Sequence, residues 1–450
     1  MINHKLPFQL FSFLPSLKFS WRCIQIGLLI LPFFPWLGAI FIGLALIFTW
    51  LHNYHMIIRS PLNWGFAILS LLLIVTASLA FDKTEAFLGL FNFLPFFVAF
   101  AGFNSLIQKP WQLRRLSLIL VITSVPVVVM GWGQLFWGWT VPPQWQSIFG
   151  WIMATGGNPP GRMASVFIYA NTLAVYLIIV FILGLGLWLE AYQKLRAKLA
   201  NPYQNNYQVY DYLPYFLFLL VIAIANFSAL ILTNSRNAWV IALIACLAYA
   251  IYQGWQILVA GVTAMVAAIA AAAFAPSPIA EILRKFVPAF FWARLNDQLY
   301  PDRPLALMRT TQWNFAWDLT WQRPWTGWGL RNFTQLYQAQ MDIWLGHPHN
   351  LFLMLSAETG LPTTLLFCSL FIWMAIASIK LLRNKKILKP QHRVILFSYI
   401  LLLSCLATFN TLDVSIFDFR INVLSWVLLS GIAGLISYYH KSLKLTNLQQ

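Results

Sequence analysis

Two histidines stand two residues apart in Gly346-His-Pro-His-Asn350, just before a long apolar run that carries Glu358 and Gly360. Imidazole is the side chain whose ordinary pKa permits proton transfer near neutrality, so His349 reads as a candidate general base. Arginines beside it would keep it neutral, the state a base needs. The plain alternative is a helix cap in which Pro348 and Asn350 merely shape the turn. A metal held by His347 and His349 would need a third ligand of fixed geometry, which the sequence does not place nearby, so no metal is expected. Arg162, Arg236 and Arg309 each stand at the edge of an apolar run or at the start of a helical stretch. Singly, each reads as an anchor whose charge snorkels to the interface. Converging, two or three planar guanidinium forks would hold a diphosphate and stabilise it as it leaves. Glu358 lies nine residues past His349. A carboxylate within an apolar run is costly, and it either pairs with an arginine of the site or ties down a neighbouring helix. Asp413, Asp418 and Arg420 precede the last apolar run and read as a local ion pair.

The elements that position these residues are membrane spans. The chain has 450 residues, is 60% hydrophobic and 9% charged, and has a mean hydropathy of +0.71. Soluble domains run nearer a quarter charged, which excludes a water-soluble enzyme and a disordered chain. The fold class is an all-α polytopic membrane protein. A span needs about 20 apolar residues, and such runs fall near 64–81, 86–106, 116–138, 165–189, 213–232, 237–252, 254–276, 351–379, 394–411 and 417–438. The first stretch, 24–51, is one long helix or two short ones broken at Pro32 and Pro35. Positive-inside parity selects two, giving about twelve spans with both termini inside. The inside segments 1–23, 52–63, 107–115, 190–212, 380–393 and 439–450 then carry 18 Lys and Arg against Glu190 and Asp211. A single first helix would put Lys109, Arg114 and Arg115 outside. The basic start followed by a long apolar run reads as a retained first helix rather than a cleaved signal.

The domain reading is spans one to nine over 1–276, a large partly helical periplasmic loop over 277–350, and spans ten to twelve with a short tail over 351–450. The loop holds Arg284, Lys285, Arg294, Arg303, Arg309, Arg323 and Arg331, a helical stretch over 304–320, and turn signals at Arg323-Pro324 and Thr326-Gly327. A second outer loop, 139–164, carries the glycine-rich run Thr155–Gly161. The net charge of +17 is explained by cytoplasmic loops, and no nucleic-acid partner is expected. Cys23, Cys246, Cys368 and Cys405 read as small core residues. No internal repeat supports an inverted-repeat transporter. Tryptophans such as Trp50, Trp64, Trp139 and Trp151 suit interface anchoring, while Trp313, Trp317, Trp321, Trp325, Trp328 and Trp344 stack on sugar rings or rest on the bilayer.

Four blocks follow one another in order: Arg162-x-x-Ser-Val-Phe-x-Tyr-Ala-Asn171, Leu232-Thr-Asn-Ser-Arg236-Asn-Ala-Trp, Arg309-x3-Trp313-x3-Trp317-x5-Arg323-Pro-Trp-x-Gly-Trp-Gly329-x-x-Asn-Phe333, and His349-Asn350-x9-Gly360. Together they resemble the O-antigen ligase/polymerase superfamily of bacterial envelope glycosyltransferases, over roughly 160–380 and most strongly over 300–365. Thr363 stands where that family often has a second glycine, and Asn237 where Ser-Arg-Gly is common; neither change removes a chemical group. The resemblance implies Arg236 and Arg309 as diphosphate binders, with Arg162 and Arg323 secondary. It implies His349 as the residue that activates an acceptor hydroxyl, supported by Asn350, Glu358 and Gly360. The implied donor is a glycan on a polyprenyl diphosphate carrier and the implied acceptor a lipid or glycan such as lipid A–core. The implied place is the periplasmic face of the inner membrane, with no cofactor. The blocks at 160–180, 232–239, 309–333 and 413–420 also resemble a cyanobacterial branch named for bicarbonate transport. That branch implies an inorganic-carbon transporter or transport-associated protein as the alternative, and O-antigen-type polymerisation is a third possibility. The retained His-Asn element favours ligation.

Overall fold

The computed structural model describes residues 15–199, 212–295, 304–384 and 386–447. Arg303 and Asp211 lie outside these. In chain order the helices are α1 (Pro15–Ile30), α2 (Pro35–Ile58), α3 (Pro61–Ser78), α4 (Lys83–Gly89), α5 (Leu94–Leu106) and α6 (Pro110–Phe136). They continue with α7 (Ala170–Leu199), α8 (Leu213–Leu232), α9 (Arg236–Gln253), α10 (Gln256–Phe274), α11 (Ser277–Arg284) and α12 (Ala289–Leu295). The last are α13 (Arg309–Gln322), α14 (Asn332–Met341), α15 (Leu351–Arg383), α16 (Arg393–Phe409) and α17 (Phe419–Asn447). No strand occurs among the described residues.

Proline decides where several of these helices begin. Pro35, Pro61 and Pro110 open α2, α3 and α6, where a missing N–H costs nothing and the fixed φ is already helical. Pro32 and Pro35 also break the first apolar stretch, as the charge parity requires. Pro95 has the same effect on the expected span 86–106. Its ring would clash with the carbonyl of Phe91, so the helix is interrupted by a 3₁₀ turn over Leu90–Asn92 and resumes as α5.

Among the described residues, eleven helices, with α4 and α5 counted together, are long and apolar enough to cross a membrane. The twelfth expected crossing is α1, whose 16 residues span about 24 Å against a hydrocarbon core of about 30 Å. α1 packs along α2 instead of matching the others in length. α7 and α17 are the most buried spans and form the centre of the bundle, whereas α10 is largely exposed. Outward side chains such as Leu71, Val221, Ile224 and Ile257 are exposed and apolar, as a lipid-facing wall requires. The described residues between α10 and α15 hold four short helices, α11 to α14, and α13 packs its buried face (Gln312, Phe315, Ala316, Leu319, Thr320) against α15.

Candidate functional site

His349 sits in the loop that leads into α15, in the left-handed region at φ 53°. Non-glycine residues are uncommon there, although histidine is among the types enriched, and such conformations concentrate at functional positions. The conformation lets the His349 N–H donate to His347 Nδ1 at 3.1 Å. It also sets His349 Nδ1 3.0 Å from Asp413 Oδ1. Asp413 comes from the loop between α16 and α17. Burial opposes ionisation of Asp413, but the hydrogen bond and charge of His349, the charge of His347 and the Val414 N–H outweigh it and hold the carboxyl below the usual range. An ionised carboxylate only accepts, so His349 Nδ1 must donate, and in the neutral ring Nε2 is then the nitrogen that carries the lone pair. That is the tautomer a general base needs.

The carboxylate also organises the arginines. Asp413 Oδ2 accepts from Asn171 Nδ2 at 2.8 Å. Asn171 Oδ1 accepts from Arg162 Nη2 at 2.6 Å, and Arg162 Nε donates to the Thr233 carbonyl at 2.9 Å. Thr233 ends α8, three residues before Arg236 opens α9. Asn237, next to Arg236, donates to the Phe409 carbonyl at 3.1 Å, and Asn410 accepts the Leu351 N–H at 2.8 Å. The starts of α7, α9 and α15 and the end of α16 are therefore tied together around Asp413. Arg309, at the head of α13, is close enough to act on His347. Burial, His349 and Arg309 together push the His347 imidazole down to about 4, against a smaller opposing pull from Asp413.

Asn350 accepts the N–H groups of Phe352 and Leu353 at 3.0 and 3.1 Å and caps α15. The capping and proton-transfer readings thus hold at neighbouring residues. His347, His349 and Asp413 bring three potential ligand atoms within 4.8 Å of one another, so the third ligand not evident in sequence is Asp413. Their hydrogen bonds nevertheless describe a proton-sharing cluster. His347 Nδ1 accepts from His349 N–H, so its proton lies on Nε2, which faces Asp413 Oδ1 at 4.0 Å. Coordination through Nε2 would move that proton to Nδ1, against the His349 N–H.

Residues 217–368 match the family model described as O-antigen ligase. That match supports membership of the O-antigen ligase superfamily. No curated protein matches the sequence. The matched region supports, in general terms, glycosyltransferase chemistry of the ligase/polymerase kind, on polysaccharide and lipid-linked substrates in a membrane.

The expected site residues divide into two places. His349 and Arg162 belong to the cluster just described, Arg309 acts on its His347, and Arg236 opens α9 between Thr233 and Asn237, which bond into it. Arg323, Glu358 and Gly360 belong to a seam between the 323–329 turn and α15. α15 kinks at Gly360, which has φ 76° and ψ 166°. Pro362 lacks an N–H and its ring would clash with the Glu358 carbonyl. The carbonyls freed there accept from the turn: Ala357 from Trp328 N–H at 3.0 Å and Glu358 from Gly329 N–H at 2.8 Å, while Leu361 N–H donates to Pro324 at 2.7 Å. Backbones meet so closely that a Cβ on Gly360 would lie 2.5 Å from the Trp325 carbonyl oxygen, and one on Gly327 2.4 Å from the Glu358 carbonyl carbon. The Glu358 side chain accepts the Phe333 N–H at 3.3 Å near the start of α14, and Arg323 stacks over Trp328 at 4.0 Å. These residues shape the support behind His349.

The local ion pair expected among Asp413, Asp418 and Arg420 is Arg420–Asp418 at 3.1 Å, while Asp413 turns to His349. Arg420 also donates to the Val166 carbonyl and lies over the Phe167 ring, pinning the start of α17. Asp413, expected in a local ion pair, and Asn171 are the cluster residues whose pairing the sequence did not show. The only signal was their presence in the blocks around Arg162 and Arg420, which carries no pairing information.

Proposed function

We propose that this chain transfers a glycan from a polyprenyl diphosphate carrier to an acceptor hydroxyl, lipid A–core or similar, at the periplasmic face of the inner membrane. The observation that carries the reading is the His349–Asp413 pair, whose carboxylate is joined through Asn171 to Arg162. In the reaction His349 Nε2 takes the hydroxyl proton, and the freed oxygen attacks the anomeric carbon of the carrier-linked sugar. The bond from that carbon to the diphosphate oxygen breaks, and the diphosphate leaves with the electron pair. Arg236 and Arg309 offset the charge it gains, and Arg162, fixed by Asn171, steadies the same region. Asp413 holds the imidazole in one tautomer and offsets its charge once protonated.

Twelve crossings with both termini inside would place the basic segments 107–115 and 380–393 in the cytoplasm and the His349 cluster outside. The test is a glycan gel of envelope extracts from a strain lacking the gene, with wild-type or His349→Ala copies restored. Ligation requires that the long lipopolysaccharide ladder vanish, that carrier-linked polymer accumulate, and that only the wild type rescue. Single-repeat products indicate polymerisation instead. An intact ladder in every strain overturns the proposal and makes labelled bicarbonate uptake the next assay.

A further inference from the structure

The opposite end of the bundle holds a second charged site. Asn171 lies in the first turn of α7 and Glu190 nineteen residues later, so the two ends are about 28 Å apart along the helix. At the Glu190 end, α1, α6, α7 and α8 leave a cavity of about 330 Å³ whose wall carries Arg114, Arg115, Lys194 and one carboxylate, Glu190. Arg114 is consumed locally. Its Nε donates to Glu190 Oε2 at 2.6 Å, and its Nη2 donates to the Gln391 carbonyl in the segment before α16. That pair neutralises itself and braces α6 against α7 and α16.

Arg115 and Lys194 remain as an uncompensated double positive charge. Arg115 uses Nε on Gln25 Oε1 at 3.2 Å, and Lys194 has no hydrogen-bond or ion-pair partner among the described residues. The rest of the lining is amphipathic. Trp21 and Trp111 meet edge to face at 5.5 Å, and Leu118 and Leu187 add apolar surface. Tryptophan settles at headgroup depth, and basic pockets between spans take anionic headgroups. A planar guanidinium and a mobile ammonium together suit a phosphate with several oxygens.

We propose that this cavity binds a phosphate group, with Arg115 and Lys194 as its ligands and the tryptophan wall against whatever apolar body the phosphate carries. The phosphate is that of an anionic phospholipid headgroup or a soluble phosphate, and the experiment separates these. Full-length protein, purified in detergent, is compared with the Arg115→Gln/Lys194→Gln double variant. Both side chains are exposed, and the buried Arg114–Glu190 pair is left alone, so the fold is retained. Arg115→Lys, which keeps the charge, serves as the conservative variant.

One arm measures retention of phosphatidylglycerol against phosphatidylcholine by native mass spectrometry; the other measures radiolabelled inorganic phosphate by equilibrium dialysis. At the usual contribution of a basic residue near an anionic lipid surface, losing two cations weakens binding roughly thirtyfold. Selective phosphatidylglycerol retention that the double variant loses and Arg115→Lys keeps supports the site with lipid as the source. Inorganic phosphate binding lost in the same variant supports it with a soluble source. Equal retention in wild type and double variant, or no preference for phosphatidylglycerol together with no phosphate binding, overturns it.

Discussion

Replacing Asp413 by asparagine removes one charge and leaves the side chain's shape, so it isolates what the carboxylate does for His349. The two carboxylate oxygens accept from three donors: His349 Nδ1 and Val414 N–H on Oδ1, and Asn171 Nδ2 on Oδ2. An amide can satisfy only one of those positions. With its NH₂ toward Asn171 it faces a donor, and with its NH₂ toward His349 it faces two. Hydrogen bonds to charged groups contribute about 1.5–3 kcal/mol. Loss of one in the transition state, where His349 becomes positive, lowers turnover by about 10- to 150-fold at roughly 1.36 kcal/mol per decade. If the amide also drives His349 into the other tautomer, the loss approaches the roughly 10⁴ known for a base held wrongly. The assay is single-turnover glycan transfer by full-length protein in proteoliposomes, with the melting temperature measured alongside. kcat should fall while the KM for the diphosphate donor changes far less, because Asp413 reaches the arginines only through Asn171. Wild-type turnover in Asp413→Asn, or a defect confined to the donor KM, refutes the reasoning.

Gly360→Ala places a Cβ 2.5 Å from the Trp325 carbonyl at a φ of 76°, so it should destabilise by about 2 kcal/mol or more and lower the melting temperature and membrane abundance. Arg323→Ala removes a cation–π contact worth about 0.5–2 kcal/mol; stability should fall while donor KM holds, whereas Arg309→Ala should raise donor KM or lower turnover with little loss of stability, as paired melts and kinetics will show. Asn350→Ala removes the α15 cap and should cost about 1 kcal/mol, read as a lower melting temperature. Acid should loosen the cluster. His347 titrates near its ordinary 6.5 when unfolded but only at about 4 when folded, so between these values the unfolded chain binds the extra proton and stability falls as pH drops. Asp413, held below its ordinary value, adds stability that is present above that value and lost as pH falls through the lower folded one. Melting temperatures from pH 7 to 4 should therefore decline, and His347→Gln should flatten the slope between 6.5 and 4.

Spans were legible because about 20 apolar residues in a row have few other uses, and the break at Pro32 and Pro35 followed from charge parity. The break before α5 was not, since Pro95 sits within an apolar run whose length alone suggests one helix. At the site, His349 and the arginines stood out because their side chains are chemically costly where they lie. Asp413 did not: Arg420 is seven residues away in sequence and His349 sixty-four, and only the fold reverses that order of proximity. Glu358 and Gly360 follow His349 closely and so read as its helpers. Sequence adjacency cannot show that a turn more than 30 residues upstream fills the kink at Gly360, which needs the backbone contacts at Pro324, Trp328 and Gly329.

The most direct measurement is glycan transfer in proteoliposomes holding full-length protein, a polyprenyl diphosphate-linked glycan and an acceptor, with released polyprenyl diphosphate and glycosylated acceptor quantified together. Wild type should yield the two products in equal amounts, and His349→Ala, folded to the same yield and melting temperature, should yield neither above background. Transfer by His349→Ala at the wild-type rate, or the absence of both products with the wild type, contradicts a glycan transferase that works through His349.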